Sequence, residues 1–292
     1  MAETHLIDTR SGGVEVMVSL GNKPPVLFFP GGHCTAATDC GWELYTSLGY
    51  GIVAFSRPGY GRTAVGPLST VEFVPALQDC CRILGIDVVA AAVGVSFGGM
   101  QAIAAAVALS GLVPKVALHS CAPSTHAYPN TAQERLVGPV AFSPRGQRLT
   151  WATVSAVVKS ENGLRAMVGA LSTESPDLWW GTWSEADKQA ARRLFQTMSS
   201  GSGFVLDLRQ AHRDRSAFRR HMQMLVPCPT MVTGSRRDGG VRFAHAEDLA
   251  ATIPSARLVE LDSASHLYWL GPTAPQAQNV VRRFMSDAAE AI

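Results

Sequence analysis

Apolar residues fall in short unbroken runs, each closed by glycine, proline or small polar residues. "VLFF" at 26–29 stops at Pro30-Gly31-Gly32, "GIVAF" at 51–55 at Ser56-Arg57-Pro58-Gly59, and "VVAAAV" at 88–93 runs into Gly94. "KVALHS" at 115–120 ends near Pro123, "TMVTG" at 230–234 ends on its own glycine, and "ARLVEL" at 256–261 ends at Asp262. A run that is apolar at every position suits a strand covered on both faces, the condition of a parallel sheet. "VEVMVSL" at 14–20 alternates instead and predicts a hairpin strand at a sheet edge. Between the runs lie helical segments: from Ser69 or Thr70 to about Leu84 with Gly85 as the stop, then 97–109, 243–251 and 275–291. Strand and helix in alternation predict a doubly wound α/β sheet.

Residues 123–225 interrupt this rhythm. They hold no good strand candidate; apolar residues recur there at helical spacing, together with Trp151, Trp179, Trp180, Trp183 and the run "LRQAHRDRSAFRRH". The pattern predicts a core domain made of 1–122 and 226–292, with 123–225 as a helical insertion between strands.

Composition narrows the partners. With 292 residues, 47% hydrophobic and 16% charged, the chain has apolar material for a large core. A net charge of +2 predicts no nucleic-acid partner. The charge is uneven: the insertion carries 13 Lys and Arg against 8 Asp and Glu, a balance read as a solvated helix face. "MAETHLIDTRSGG" has no apolar segment of a secretory signal, and no apolar stretch reaches the roughly 18 residues of a membrane span. The six cysteines form no C-x-x-C pair, which fits free thiols in a cytoplasmic protein, and the histidines show no H-x-x-x-H or H-E-x-x-H spacing, so no metal is expected. The excess of arginine over lysine fits a bacterial gene.

The chemistry is concentrated around "GVSFG" at 94–98. A G-x-S-x-G pentapeptide arises by chance about 0.2 times in a chain of this composition. Its context is what raises it: a buried run precedes Ser96 and a helix follows, the setting of a nucleophile elbow. Serine is a weak nucleophile without a base. His266 follows the last strand-like run and Asp238 the one before it, giving the order Ser96, Asp238, His266 at the carboxyl ends of strands. Asp262 is the rival acid, disfavoured because it closes a strand only four positions before the histidine. An oxyanion hole needs two backbone N–H groups. Phe97 supplies one; the other comes from "PGGH", from Gly32 or His33, whose ring is read as a polar loop side chain.

On these residues the chain resembles the α/β-hydrolase superfamily over nearly its full length. "FSRPGYGRT" at 55–63 is similar to the D-R-P-G-x-G-x-S turn of its esterase, haloperoxidase-like and aminopeptidase-like members, and "VPCPTMVTGSRRDGG" at 226–240 to the segment that carries the triad aspartate. The resemblance implies an eight-stranded, mostly parallel sheet with a helical cap over the site. It also implies a serine hydrolase rather than a dehalogenase or epoxide hydrolase, which place a carboxylate where Ser96 stands. Two positions depart from the pattern: Pro30-Gly31 replaces His-Gly, and Ser56 replaces the aspartate before Arg-Pro-Gly.

The expected activity is cleavage of an ester, thioester or amide of a small, largely apolar acyl substrate through an acyl-enzyme, with no cofactor. Alternatives are a biosynthetic thioesterase, cyclase or C–C bond hydrolase acting on a carrier-bound acyl group, and a non-catalytic receptor. Trp179, Trp180 and Trp183 are expected to shape substrate preference, although tryptophans at helical spacing also serve as core.

Overall fold

Every apolar run noted above becomes a strand. The computed structural model describes residues 3–129, 142–143 and 146–286. Among them one sheet contains β1 (Thr4–Thr9), β2 (Gly12–Ser19), β3 (Lys23–Phe29), β4 (Tyr50–Phe55), β5 (Ala91–Val95), β6 (Val116–His119), β7 (Thr230–Gly234) and β8 (Ala256–Glu260). Their order across the sheet is β1-β2-β4-β3-β5-β6-β7-β8. β2 pairs antiparallel with β1 and β4, and the remaining neighbours pair in parallel.

Side chains of the central strands alternate between two cores, as strand geometry requires. Leu27, Phe29, Val53 and Phe55 face one core, where α2 (Val74–Ile83), α3 (Gly98–Ala108) and α9 (Phe243–Thr252) pack. Val26, Phe28, Ile52 and Ala54 face the other, covered by α1 (Glu43–Thr46) and α10 (Ala274–Ser286). Both faces are covered by apolar side chains, so the inner strands carry no alternating polar residues.

Boundaries moved for local reasons. Val88 is 63% exposed, and the strand begins at Ala91 and continues through Gly94, because Ala92–Val95 pair with Val116–His119. The expected helix from Ser69 begins regularly only at Val74: Pro75 has no N–H with which to extend the ladder. β2 is not the edge. It does form a hairpin, but with β1, whose sequence "THLIDT" is too polar to stand out.

Between β6 and β7 the described residues are helical: α4 (Gln147–Val157), α5 (Glu161–Gly169), α6 (Glu185–Thr197), α7 (Gly203–Ala211) and α8 (Ser216–Met224). α8 packs on α3 and α9, alongside the sheet, and so joins the layer that covers the first core.

Candidate active site

Ser96 occupies the turn between β5 and α3 with φ of 52°, in the left-handed region that a non-glycine residue enters only when its surroundings hold it there. Its N–H donates to the His119 carbonyl at 3.0 Å, and its own carbonyl accepts from Gly99 N–H at 3.1 Å. The flanking glycines are required by contact. A Cβ on Gly98 would lie 1.9 Å from the Phe29 carbonyl oxygen, and one on Gly94 2.6 Å from Gly99 Cα.

Asp238 follows β7 and His266 follows β8. The two side chains meet: His266 Nδ1–H donates to Asp238 Oδ2 at 2.8 Å. Asp238 Oδ1 accepts from the Gly240 and Val241 N–H groups, each at 2.8 Å, so both carboxylate oxygens are held. The Asp238 side chain is 1% exposed and that of His266 14%. Burial pushes the His266 pKa down, but the Asp238 charge and its hydrogen bond outweigh burial, and the net result lies above the ordinary histidine value. Asp262, the rival, is 76% exposed and pairs with Arg237.

The Pro30–His33 turn lies beside the serine; a Cβ on Gly31 would sit 3.2 Å from Ser96 Cβ. Arg57 fixes its carbonyls, donating from Nε to Pro30 at 3.2 Å and from Nη2 to Gly31 at 3.1 Å. The guanidinium is buried and forms a forked pair with Asp207 of α7, which also accepts from Tyr60 Oη at 2.6 Å. The N–H groups of Gly32 and Phe97 are given to no other described residue.

These groups border one cavity of about 710 Å³, lined by Gly32, His33, Ser96, Phe97 and His266. The rest of the wall is mostly apolar, including Val95, Phe142, Val154, Met167, Leu194 and Phe204, and no Asp, Glu, Lys or Arg lines it among the described residues. The described Lys and Arg residues of the insertion therefore lie elsewhere. No cluster of His, Cys, Asp and Glu among the described residues could hold a metal ion. No described helix is long and apolar enough to cross a membrane.

A model of the alpha/beta hydrolase family matches residues 26–279. The chain belongs to that family. An uncharacterized hydrolase of Bacillus subtilis, YcgS, is 29% identical over 285 residues, covering 96% of this chain and 97% of its own length. Among solved structures, an alpha/beta hydrolase fold protein from Nakamurella multipartita superimposes with a TM-score of 0.74 at 19% identity, covering 98% of this chain and 100% of that one. A thermophilic esterase from Thermogutta terrifontis gives a TM-score of 0.67 at 19% identity, covering 97% and 98%. These structures share the fold of this alpha/beta hydrolase.

The expected role of Trp179, Trp180 and Trp183 is corrected by where they lie. They pack against one another with ring centroids 5.5–6.1 Å apart and are 5–6% exposed. None lines the cavity beside Ser96. Their apolar surface is spent on the hydrophobic cluster they share with α5 and α6. The tryptophans that do line the cavity are Trp151 and Trp269.

Several functional contacts escaped the sequence. Arg57 stood in a noted motif, but nothing in the spacing links it to Asp207, 150 positions away. Leu171 of the insertion is a second case: its carbonyl accepts from His266 N–H at 2.9 Å and from Gly239 N–H at 3.0 Å. Ser172 and Asp238 form a lone antiparallel bridge, so the loops carrying both groups are tied to one strap. Backbone contacts of this kind leave no signature in side-chain pattern.

Proposed function

We propose that this alpha/beta hydrolase is a serine hydrolase in which Ser96 attacks, His266 moves the proton and Asp238 orients the imidazole. The observation that carries the reading is the 2.8 Å Asp238–His266 hydrogen bond on the wall of the cavity that Ser96 lines. With Nδ1–H given to Asp238, Nε2 of neutral His266 is the nitrogen that accepts the Ser96 proton. Ser96 Oγ then adds to the substrate carbonyl. The new oxyanion is met by the Phe97 N–H and by a second N–H from the Pro30–His33 turn, that of Gly32 or His33, neither of which is given to another described residue. His266 returns the proton to the leaving group, the acyl-enzyme forms, and water activated by the same imidazole releases the acid.

The largely apolar wall supports an uncharged acyl substrate and speaks against phosphorylated or carboxylated ones, whose charge would be stranded there. An ester is the first choice, with thioester, amide and C–C cleavage drawing on the same groups. The cap in this reading runs from the described part of the insertion to α7, with α8 belonging to the core. Hydrolysis of p-nitrophenyl esters of graded chain length tests the proposal. Ser96→Ala should lower kcat by about 10⁴- to 10⁶-fold with an unchanged melting temperature. A folded variant keeping more than about a tenth of the activity would overturn the assignment of the nucleophile.

A further inference from the structure

His33 is the one cavity-lining histidine that the proposed reaction leaves idle. Its backbone sits at φ of 64°, which turns the ring toward the insertion. There the ring packs against Phe204, Phe142 and Trp151, with centroids 4.0, 4.4 and 5.0 Å away. Ser200 Oγ lies 2.8 Å from His33 Nδ1 and 2.9 Å from Trp151 Nε1.

The tautomer follows from where the Ser200 hydroxyl proton can go. An indole N–H can only donate, so Ser200 Oγ accepts from Trp151. Among the described residues Ser200 Oγ has no other acceptor in reach, so its proton goes to His33 Nδ1 and the ring proton resides on Nε2. Burial, assisted by the positive charge of Arg57, pushes the pKa of His33 down to about 3, so the ring stays neutral. No described residue accepts from Nε2, and the residue lines the cavity that holds Ser96.

We propose that His33 is a specificity-determining residue: its Nε2–H, oriented by the Trp151–Ser200 relay, donates to an uncharged oxygen acceptor on the substrate, a keto, ether or hydroxyl oxygen set apart from the scissile carbonyl. An apolar wall carrying a fixed, neutral donor selects an oxygenated acyl or alcohol chain over its all-carbon equivalent. A substrate hydroxyl or ketone bound there satisfies a donor that is otherwise left bare when the cavity fills with hydrocarbon, which is the source of discrimination.

The inference rests on the proposed hydrolase reading for its use in catalysis, but its test is a binding measurement that needs no turnover. Calorimetry on the full chain carrying Ser96→Ala compares methyl hexanoate with its keto derivatives bearing the oxygen at successive chain carbons. At least one keto derivative should bind more tightly than methyl hexanoate. His33→Asn, which tolerates the left-handed backbone but has too short an amide to replace Nε2–H, should cut that preference by about 5- to 20-fold, the worth of one hydrogen bond. His33→Gln, whose amide can reach the Nε2 position, should restore most of it, a rescue that loss of packing would not give. Ser200→Ala, which releases the tautomer while keeping the ring, should weaken the preference even if His33→Asn melts early. The proposal is overturned if no keto derivative outbinds methyl hexanoate, or if the preference survives both His33→Asn and Ser200→Ala. A preserved, His33-dependent preference in a protein that hydrolyses no ester would count against the reaction and leave the donor role standing.

Discussion

Asp238 does more at the residue scale than pair with a histidine. Two backbone N–H groups hold Oδ1 while Oδ2 takes Nδ1–H, so the carboxylate fixes both the rotation and the tautomer of His266. Asp238→Asn should lower kcat by about 10⁴-fold by favouring the wrong tautomer, whereas Asp262→Asn, at an exposed ion pair, should change it little. The pH profile follows from the same contact. Protonated His266 cannot accept the Ser96 proton, so activity is lost as pH falls through the His266 pKa. That pKa is raised above 6.5 by Asp238, and kcat/KM should therefore climb with an apparent pKa above 6.5. In Asp238→Asn, with burial left unopposed, the apparent pKa should move down. The three candidate residues could be singled out because each follows an apolar run in the order the fold demands. Trp179, Trp180 and Trp183 were not, since helical spacing cannot separate a residue facing a cavity from one facing a core. Truncating any of them to alanine should cost about 3–5 kcal/mol of stability by urea unfolding, with chain-length preference kept.

Elements owe their placement to contacts too tight for substitution. The β5–α3 turn is the clearest: at Gly98 a methyl group would collide with the Phe29 carbonyl of β3. Gly98→Ala should fail to accumulate as folded protein, as judged by its soluble yield and melting curve. A second link joins Arg57, beneath the Pro30–His33 turn, to Asp207 on α7. Arg57→Met strands a buried carboxylate and should cost about 3–5 kcal/mol, while Arg57→Met with Asp207→Leu should recover most of that, read from urea titrations of the three proteins. Equal losses in the single and double variants would show that the pair is not what holds α7 in place. Element types could be read from the runs, but their ends could not. Pro75 and the pairing of β5 with β6 moved boundaries by a few residues, and β1 was missed because its sequence is largely polar.

The whole molecule divides into a sheet that holds Ser96, Asp238 and His266 and an insertion that supplies much of the cavity wall and the Leu171 strap. The α/β architecture was legible because repeated apolar runs leave few other topologies. Long-range ties such as Leu171 to His266 are made by backbone atoms and depend on the completed fold. Acid sensitivity is also a property of the whole. His33, His119 and His245 are held neutral by burial, with pKa values of about 3, 3 and 4. Above pH 6.5, the ordinary histidine value, these rings are neutral folded or unfolded and change nothing. Below it the unfolded chain takes up protons that the fold refuses, so stability falls as pH drops from about 6.5 toward 4; His266, with its raised pKa, opposes this in part. The melting temperature should fall by at least about 5 °C between about pH 7 and pH 4.5, and a flat profile would contradict the buried, neutral state of these rings.

Labelling with a small fluorophosphonate, followed by peptide mass spectrometry, tests the central claim most directly. The account predicts a single adduct on Ser96, slowed at least about 100-fold in His266→Ala and absent in Ser96→Ala. No adduct on the folded protein, or an adduct that persists in Ser96→Ala, would contradict it.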